Sequence, residues 1–228
     1  MAEIWIQEEK VSDEFLDELG HHIKFNGSLK SVYFISEGSE GDYVERNRKF
    51  LQDFLITQDK FPIYLTFVYY DDDYEEFQKA LNESKIEFKI SLLEETRTYW
   101  TASKNVRYHP PCFTVKIMEA HSLSVVLAET YWLPAQNEFY AITYSENLFF
   151  KLETVTEWDK KRERSVANFN IDEETTLITI FHDGAGFYLF TNQTKYSTVE
   201  NLSANLPKGT VITQINNTLV TNGELDSN

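Results

Sequence analysis

The spacing of apolar residues divides the chain near residue 95. Before it, short apolar runs alternate with segments of helical period. After it, period-2 segments follow one another. Residues 3–7 read as a strand. Ser12, ahead of Asp13 and Glu14, reads as the N-cap of a helix whose inner face is Phe15, Leu16, Leu19 and Ile23. Val32 to Ile35 is apolar at every position, as a strand buried on both faces requires. A second helix starts near Asp42, with Glu45 at capping-box spacing and Phe50, Leu51, Phe54 and Leu55 on its apolar face. Ile63 to Tyr70 is again apolar on both parities. Asp72 or Asp73 is placed to cap a third helix, with Tyr74, Phe77 and Leu81 inside. Ile86, Phe88, Ile90 and Leu92 then alternate with Glu87, Lys89 and Ser91, so one face is polar and the strand suits an edge. The order β-α-β-α-β-α-β predicts a mostly parallel sheet.

Beyond residue 95 the pattern predicts strands at 113–117, 123–129, 139–144, 177–181, 187–191 and 210–215, with a short helix over 197–206. His182-Asp183-Gly184-Ala185-Gly186 supplies the turn chemistry of a hairpin. The expected fold class is therefore α+β: an α/β half over 1–95, a mostly antiparallel β-rich half over 96–215, and a polar, flexible tail over 216–228. No Pro/Gly/Ser-rich linker separates the halves. One sheet or two packed lobes both fit, with two lobes preferred.

Charge narrows the function classes. The chain carries 37 acids against 21 Lys and Arg, a formal charge of −16. Residues 1–95 hold 22 acids and 10 bases, so the excess lies there. Such a field repels phosphate backbones, which argues against direct nucleic-acid binding, and attracts a basic protein. Cys112 is the single cysteine, which excludes an internal disulfide and a multi-cysteine zinc site. The first residues lack a signal-peptide pattern, and no run approaches the roughly 18 apolar residues of a membrane span. A cytoplasmic protein without membrane contact is the expectation.

The placement of the acids is the main functional signal. Each N-terminal strand runs into an acidic cluster: Glu8 and Glu9, Glu37 and Glu40, Asp71 to Asp73, Glu94 and Glu95. In an open α/β sheet that rim is where ligands bind. Three readings compete: an acidic docking face, a metal site, or helix caps. A Mg²⁺ or Mn²⁺ site needs carboxylates such as Glu8 or Glu9, Glu37, Asp71 and Asp73 to converge. It also needs a Lys, Arg or Gly-rich turn to hold a phosphate, and none stands near these strand ends. Gly38-Ser39-Glu40-Gly41 has the wrong spacing and the wrong charge. His182 and Asp183 would point to opposite faces on a strand, and Pro110-Pro111 separates His109 from Cys112. His21-His22 cannot both face one ligand. Lys160, Lys161, Arg162 and Arg164 beside Trp158 read as a solvated loop or helix end.

These readings favour a non-enzymatic protein that docks a basic partner, such as a nuclease or another nucleic-acid-binding protein. The candidate binding residues are Glu37, Glu40, Asp42, Asp71, Asp72 and Asp73, with Tyr70 and Tyr74, alongside Tyr69, as aromatic anchors. Immunity proteins, antitoxins and inhibitors share this compositional profile, an association of class and not of descent. The alternative is a metal-dependent phosphoesterase or nuclease using the strand-end carboxylates. No catalytic residue, metal ligand or cofactor is assigned on the leading reading.

Overall fold

A computed structural model describes residues 2–12, 15, 23–69, 74–101, 104–157 and 159–220. Most of the helix expected from Ser12, together with His21, His22, Tyr70, Asp71, Asp72, Asp73, Trp158 and most of the tail, lies outside the described residues.

The strands in chain order are β1 (Glu3–Glu8), β2 (Lys24–Asn26), β3 (Ser31–Ser36), β4 (Ile63–Val68), β5 (Glu87–Leu92), β6 (Arg97–Trp100), β7 (Asn105–Tyr108), β8 (Pro111–Ile117), β9 (Tyr140–Thr143), β10 (Leu148–Glu157), β11 (Lys160–Asn170), β12 (Thr176–Ile180), β13 (Phe187–Thr191), β14 (Val211–Ile215) and β15 (Thr218–Leu219). The helices among the described residues are α1 (Tyr43–Thr57), α2 (Glu75–Glu83), α3 (Ala120–Thr130), α4 (Trp132–Ala135) and α5 (Val199–Ala204). The protein is α+β, built on a mixed sheet of ten described strands in the order β15-β14-β1-β3-β13-β12-β9-β4-β8-β5. A smaller sheet, β10-β11-β2, and the β6-β7 hairpin complete it.

The parallel N-terminal sheet is not what forms. β1 pairs β3 antiparallel, and β4 and β5 each pair β8 antiparallel. The one parallel contact in the large sheet joins β1 to β14. The crossovers through α1 and α2 do keep β3, β4 and β5 pointing the same way. Between them, however, β13, β12, β9 and β8 are inserted, all from beyond residue 95. Strands from both sides of that position therefore interleave in one sheet.

The physical reason lies in what covers the second face. Continuous apolar runs reflect burial on both sides, which in a parallel sheet is supplied by two helical layers. Here α1, α2, α3 and α5 cover one face and the small sheet covers the other. On β3, Tyr33 and Ile35 enter the helical core, while Val32 and Phe34 enter the core under β10 and β11. On β13, Phe187 and Leu189 face the helices, and Tyr188 and Phe190 face the small sheet. Pleating sends alternate residues to opposite faces, so each strand feeds two cores.

Two further elements differ from expectation. Residues 123–129 form most of α3, not a strand. Leu123, Val126, Leu127 and Thr130 are its buried positions, at helical spacing. The basic cluster lies on β11, where Arg164 pairs across the hairpin with Glu157 at 2.7 and 2.8 Å. The edge position of β5 and the hairpin of β12 and β13 are as the sequence predicts. No helix among the described residues is long and apolar enough to cross a membrane.

Candidate functional site: an acidic rim and an inter-sheet cleft

Strand direction decides which acids share an edge. Following the antiparallel pairs from β3 through β13, β12, β9, β4 and β8 to β5, the carboxyl ends of β3, β12, β4 and β5 all emerge at one rim. Glu37 and Glu40 follow β3 there, Asp183 lies in the turn after β12, and Glu94 and Glu95 follow β5. Asp71 to Asp73 follow β4 in sequence, outside the described residues. The first cluster does not join them. β1 runs against β3, so Glu8 and Glu9 leave the opposite rim, where Glu8 is bonded to Asn216. Convergence of Glu8 or Glu9 with Glu37, as the metal reading requires, is thereby excluded. β3 and β4 are four strand spacings apart, about 19 Å at the usual strand separation. Among the described residues no group of three His, Cys, Asp or Glu side chains is placed to hold a metal ion.

The β3–α1 loop is held rigidly. Asn47 on α1 is fully buried. Its Oδ1 accepts from the Glu37 N–H at 2.8 Å, and its Nδ2 donates to the carbonyls of Gly38 and Tyr43 at 3.1 and 2.9 Å. Arg46 donates to the carbonyls of Glu37 and Glu40. Burial pushes the Glu37 carboxyl up, with Arg46 opposing. Glu40 and Asp42 remain exposed on this fixed loop, and Asp42 makes no side-chain cap bond. We expect Asn47→Ala to cost about 2 kcal/mol, because it strands buried backbone groups. Urea unfolding measures the loss, and amide exchange of Glu37 and Gly38 should accelerate most.

At the β5 end the rim contains buried charge. Glu95 is 3% exposed and Glu138, just before β9, is 9% exposed. Arg97, the first residue of β6, bridges them: Nε donates to Glu95 and an Nη to Glu138, both at 2.7 Å. The Ser165 N–H donates to the second Glu95 oxygen at 2.7 Å, tying β11 to the rim. Burial works against the Arg97 charge, but Glu138 and Glu95 outweigh it and hold the guanidinium charged. Burial raises the Glu138 carboxyl despite Arg97.

Two cavities open between the edge strands β5 and β10. One, of about 290 Å³, is walled by Leu92, Leu148, Phe149 and Leu152 over Cys112 and Thr66. The other, of about 150 Å³, is lined by Glu95, Arg97, Glu138, Glu157 and Arg164. Both share Leu93, Phe150 and Ser165 in their walls, so they form one cleft, of mixed polarity at one end and charged at the other.

Cys112 is buried, and burial alone pushes its thiol up to about 12. His109 turns its Nδ1 to the carbonyls of Leu93 and Glu95, not to Cys112. His182 and Asp183 do touch, at 3.2 Å, because they occupy a tight turn in which Asp183 takes φ +60, and not a strand. Tyr69 and Tyr74 are half-buried, packing on Phe113 with ring centroids 6.0 and 5.6 Å away. Sequence reasoning missed Arg97 and Glu138 entirely. Their pairing spans 41 residues and leaves no local spacing to read.

Compared with known proteins, no family, no curated protein and no solved structure matches this chain.

Proposed function

We propose that this is a non-enzymatic binding protein whose acidic rim docks a basic protein partner. The observation that carries the reading is the shared rim. Strand directions collect the acids after β3, β12 and β5 on one edge, with Glu40, Asp42, Asp183 and Glu94 exposed. The nearby bases Arg46 and Arg97 are engaged by backbone carbonyls and buried carboxylates. Asp71 to Asp73 and Tyr70, which follow β4 in sequence and lie outside the described residues, belong to the same proposed set. Exposed acids exceed exposed bases on this loop, where Arg46 keeps its charge while bonded to carbonyls, and an acidic excess over an ordered backbone suits steering of an oppositely charged protein. A nucleic-acid-binding protein, whose cleft is basic, has the complementary charge. The profile is that of an immunity protein or an inhibitor, acting inside the cell.

The test is a comparison of two charge reversals of equal size. Glu40→Lys with Asp42→Lys alters the rim, and Glu173→Lys with Glu174→Lys alters exposed acids beside the start of β12, at the opposite edge. With tagged protein as bait, the wild type and the Glu173/Glu174 variant should retain the same basic protein. The Glu40/Asp42 variant should hold it about tenfold more weakly. Reversal of Asp71, Asp72 and Asp73 should do the same. Equal retention by all variants would refute the rim as the docking face.

A further inference from the structure

The rim opposite the acidic one gathers donors that the fold leaves unmatched. β9 and β13 run against β4, β12 and β3, so their carboxyl ends reach this rim together with the start of β4. Lys60 stands just before β4 and Tyr144 just after β9, while Lys195 and Tyr196 lie in the turn that follows β13.

Their side chains meet at the end of α1. Gln58 accepts at Oε1 from Lys195 Nζ at 2.7 Å and from the Tyr196 hydroxyl at 2.5 Å. Its Nε2 donates to the carbonyls of Phe54 and Asn205, so the amide is fixed at both ends and holds Lys195 in place. Lys60 Nζ lies 5.0 Å from the centroid of the Tyr144 ring, and Lys195 Nζ lies 4.6 Å from that of Tyr196. Tyr144 is close enough to Tyr196 to add to the burial that pushes the Tyr196 phenol up.

Two features of this cluster find no partner inside the protein. The Tyr144 hydroxyl is buried and makes no hydrogen bond. Native folds rarely leave such a group alone, and a water or an ion usually completes it. The second feature is a pair of half-buried ammonium groups with no carboxylate bonded to either among the described residues. Burial and then Lys60 push the Lys195 ammonium down, and no acid opposes them. With 37 acids against 21 Lys and Arg, chance alone would favour a carboxylate beside each lysine.

The open valences are all donors. Lys195 spends one ammonium donor on Gln58, Lys60 spends none on the described residues, and the Tyr144 O–H is unused. Donors of this kind, with two positive charges behind them, fit an anion with several oxygens. A carboxylate would neutralise only one of the lysines. A phosphate group, with a charge of about −1.5 to −2 at neutral pH and acceptor oxygens on several sides, matches both.

We propose that Lys60, Lys195 and Tyr144 form a phosphate-binding site on the rim opposite the acidic one. The inference stands independently of partner docking, because none of its residues belongs to the acidic rim.

Inorganic phosphate is the probe, titrated into the full chain by calorimetry and followed by its phosphorus NMR line width. Chloride at matched ionic strength and acetate are the controls. Phosphate should bind and raise the melting temperature, and neither control should do so. Lys195→Met and Lys60→Met should each weaken phosphate about tenfold or more, the loss of a charge-assisted contact. Tyr144→Phe should weaken it severalfold. Because that change removes only an unpartnered hydroxyl, the phosphate-free variant should be at least as stable as wild type, which separates the site from the fold. Phenyl phosphate distinguishes the sources: tighter binding than inorganic phosphate would assign a phosphate monoester, and weaker binding the free ion. The proposal is overturned if phosphate binds no better than acetate or chloride, or if Lys195→Met and Tyr144→Phe leave its affinity unchanged.

Discussion

Replacing Arg97 with Met should destabilise the protein by about 3 to 5 kcal/mol at neutral pH, the usual result of removing one partner from a buried ion network. The change removes the ion-pair partner of Glu138 and of Glu95, at 9% and 3% exposure, leaving Glu95 with the Ser165 N–H and the nearby Arg164. It also frees the β6–β7 hairpin from its anchor on β9. The loss should depend on pH with a definite sign. Without Arg97 the burial that already raises the Glu138 carboxyl is no longer opposed, so that carboxyl rises further above its unfolded value. The folded protein then binds more protons than the unfolded chain, and stability recovers as pH falls toward the carboxylate range. In the wild type Glu138 is already raised by burial, so its ionisation costs stability as pH rises through its folded pKa. Urea midpoints at several pH values measure the effect. Adding Glu138→Gln to the Arg97 variant should restore part of the loss by removing the charge of one of the two carboxyls that lose their ion-pair partner. A variant as stable as wild type at neutral pH would mean that the cluster is hydrated and contributes little.

Gly186→Ala should cost about 3 kcal/mol or more. Gly186 sits at φ +143, where the turn delivers β13 alongside β3. A Cβ there would lie 2.6 Å from the Ile35 carbonyl oxygen and 2.9 Å from the Phe34 Cζ and Ser36 Cβ. Backbone strain and a clash with neighbouring main chain each contribute about 1–3 kcal/mol. Gly209, at φ +83 with nothing within 4 Å of the added atom, supplies the control. Its replacement by Ala should cost only about 1 kcal/mol, the conformational part alone. Thermal or urea unfolding of the pair separates steric contact from conformation.

Much of the local structure was legible in the sequence. Phe50, Leu51, Phe54 and Leu55 mark α1, and the alternation from Ile86 to Leu92 marks an edge strand. His182 to Gly186 marks the β12–β13 hairpin. Pairing was not legible. Val32 to Ile35 reports burial on both faces but not whether a helix or a second sheet does the covering, and the partner strands are separated by long stretches of chain. The same limit applies to the site. The acids after β3 and β5 were visible, and their common rim follows from the α1 and α2 crossovers. That β1 runs the other way, removing Glu8 and Glu9, depends on its non-local pairing with β3. Arg97 between Glu95 and Glu138 is wholly a product of tertiary structure, since a buried ion pair has no sequence period.

On the proposed function, the rim steers a basic protein onto this one. The association rate with the partner captured by the bait, measured against ionic strength, tests it most directly. The expected rate falls steeply with salt for the wild type and for the Glu173→Lys, Glu174→Lys variant. For the Glu40→Lys, Asp42→Lys variant it should be slower and depend less on salt. Identical salt dependence for the two variants would contradict it, because the attraction would then belong to the net charge of the molecule and not to the rim.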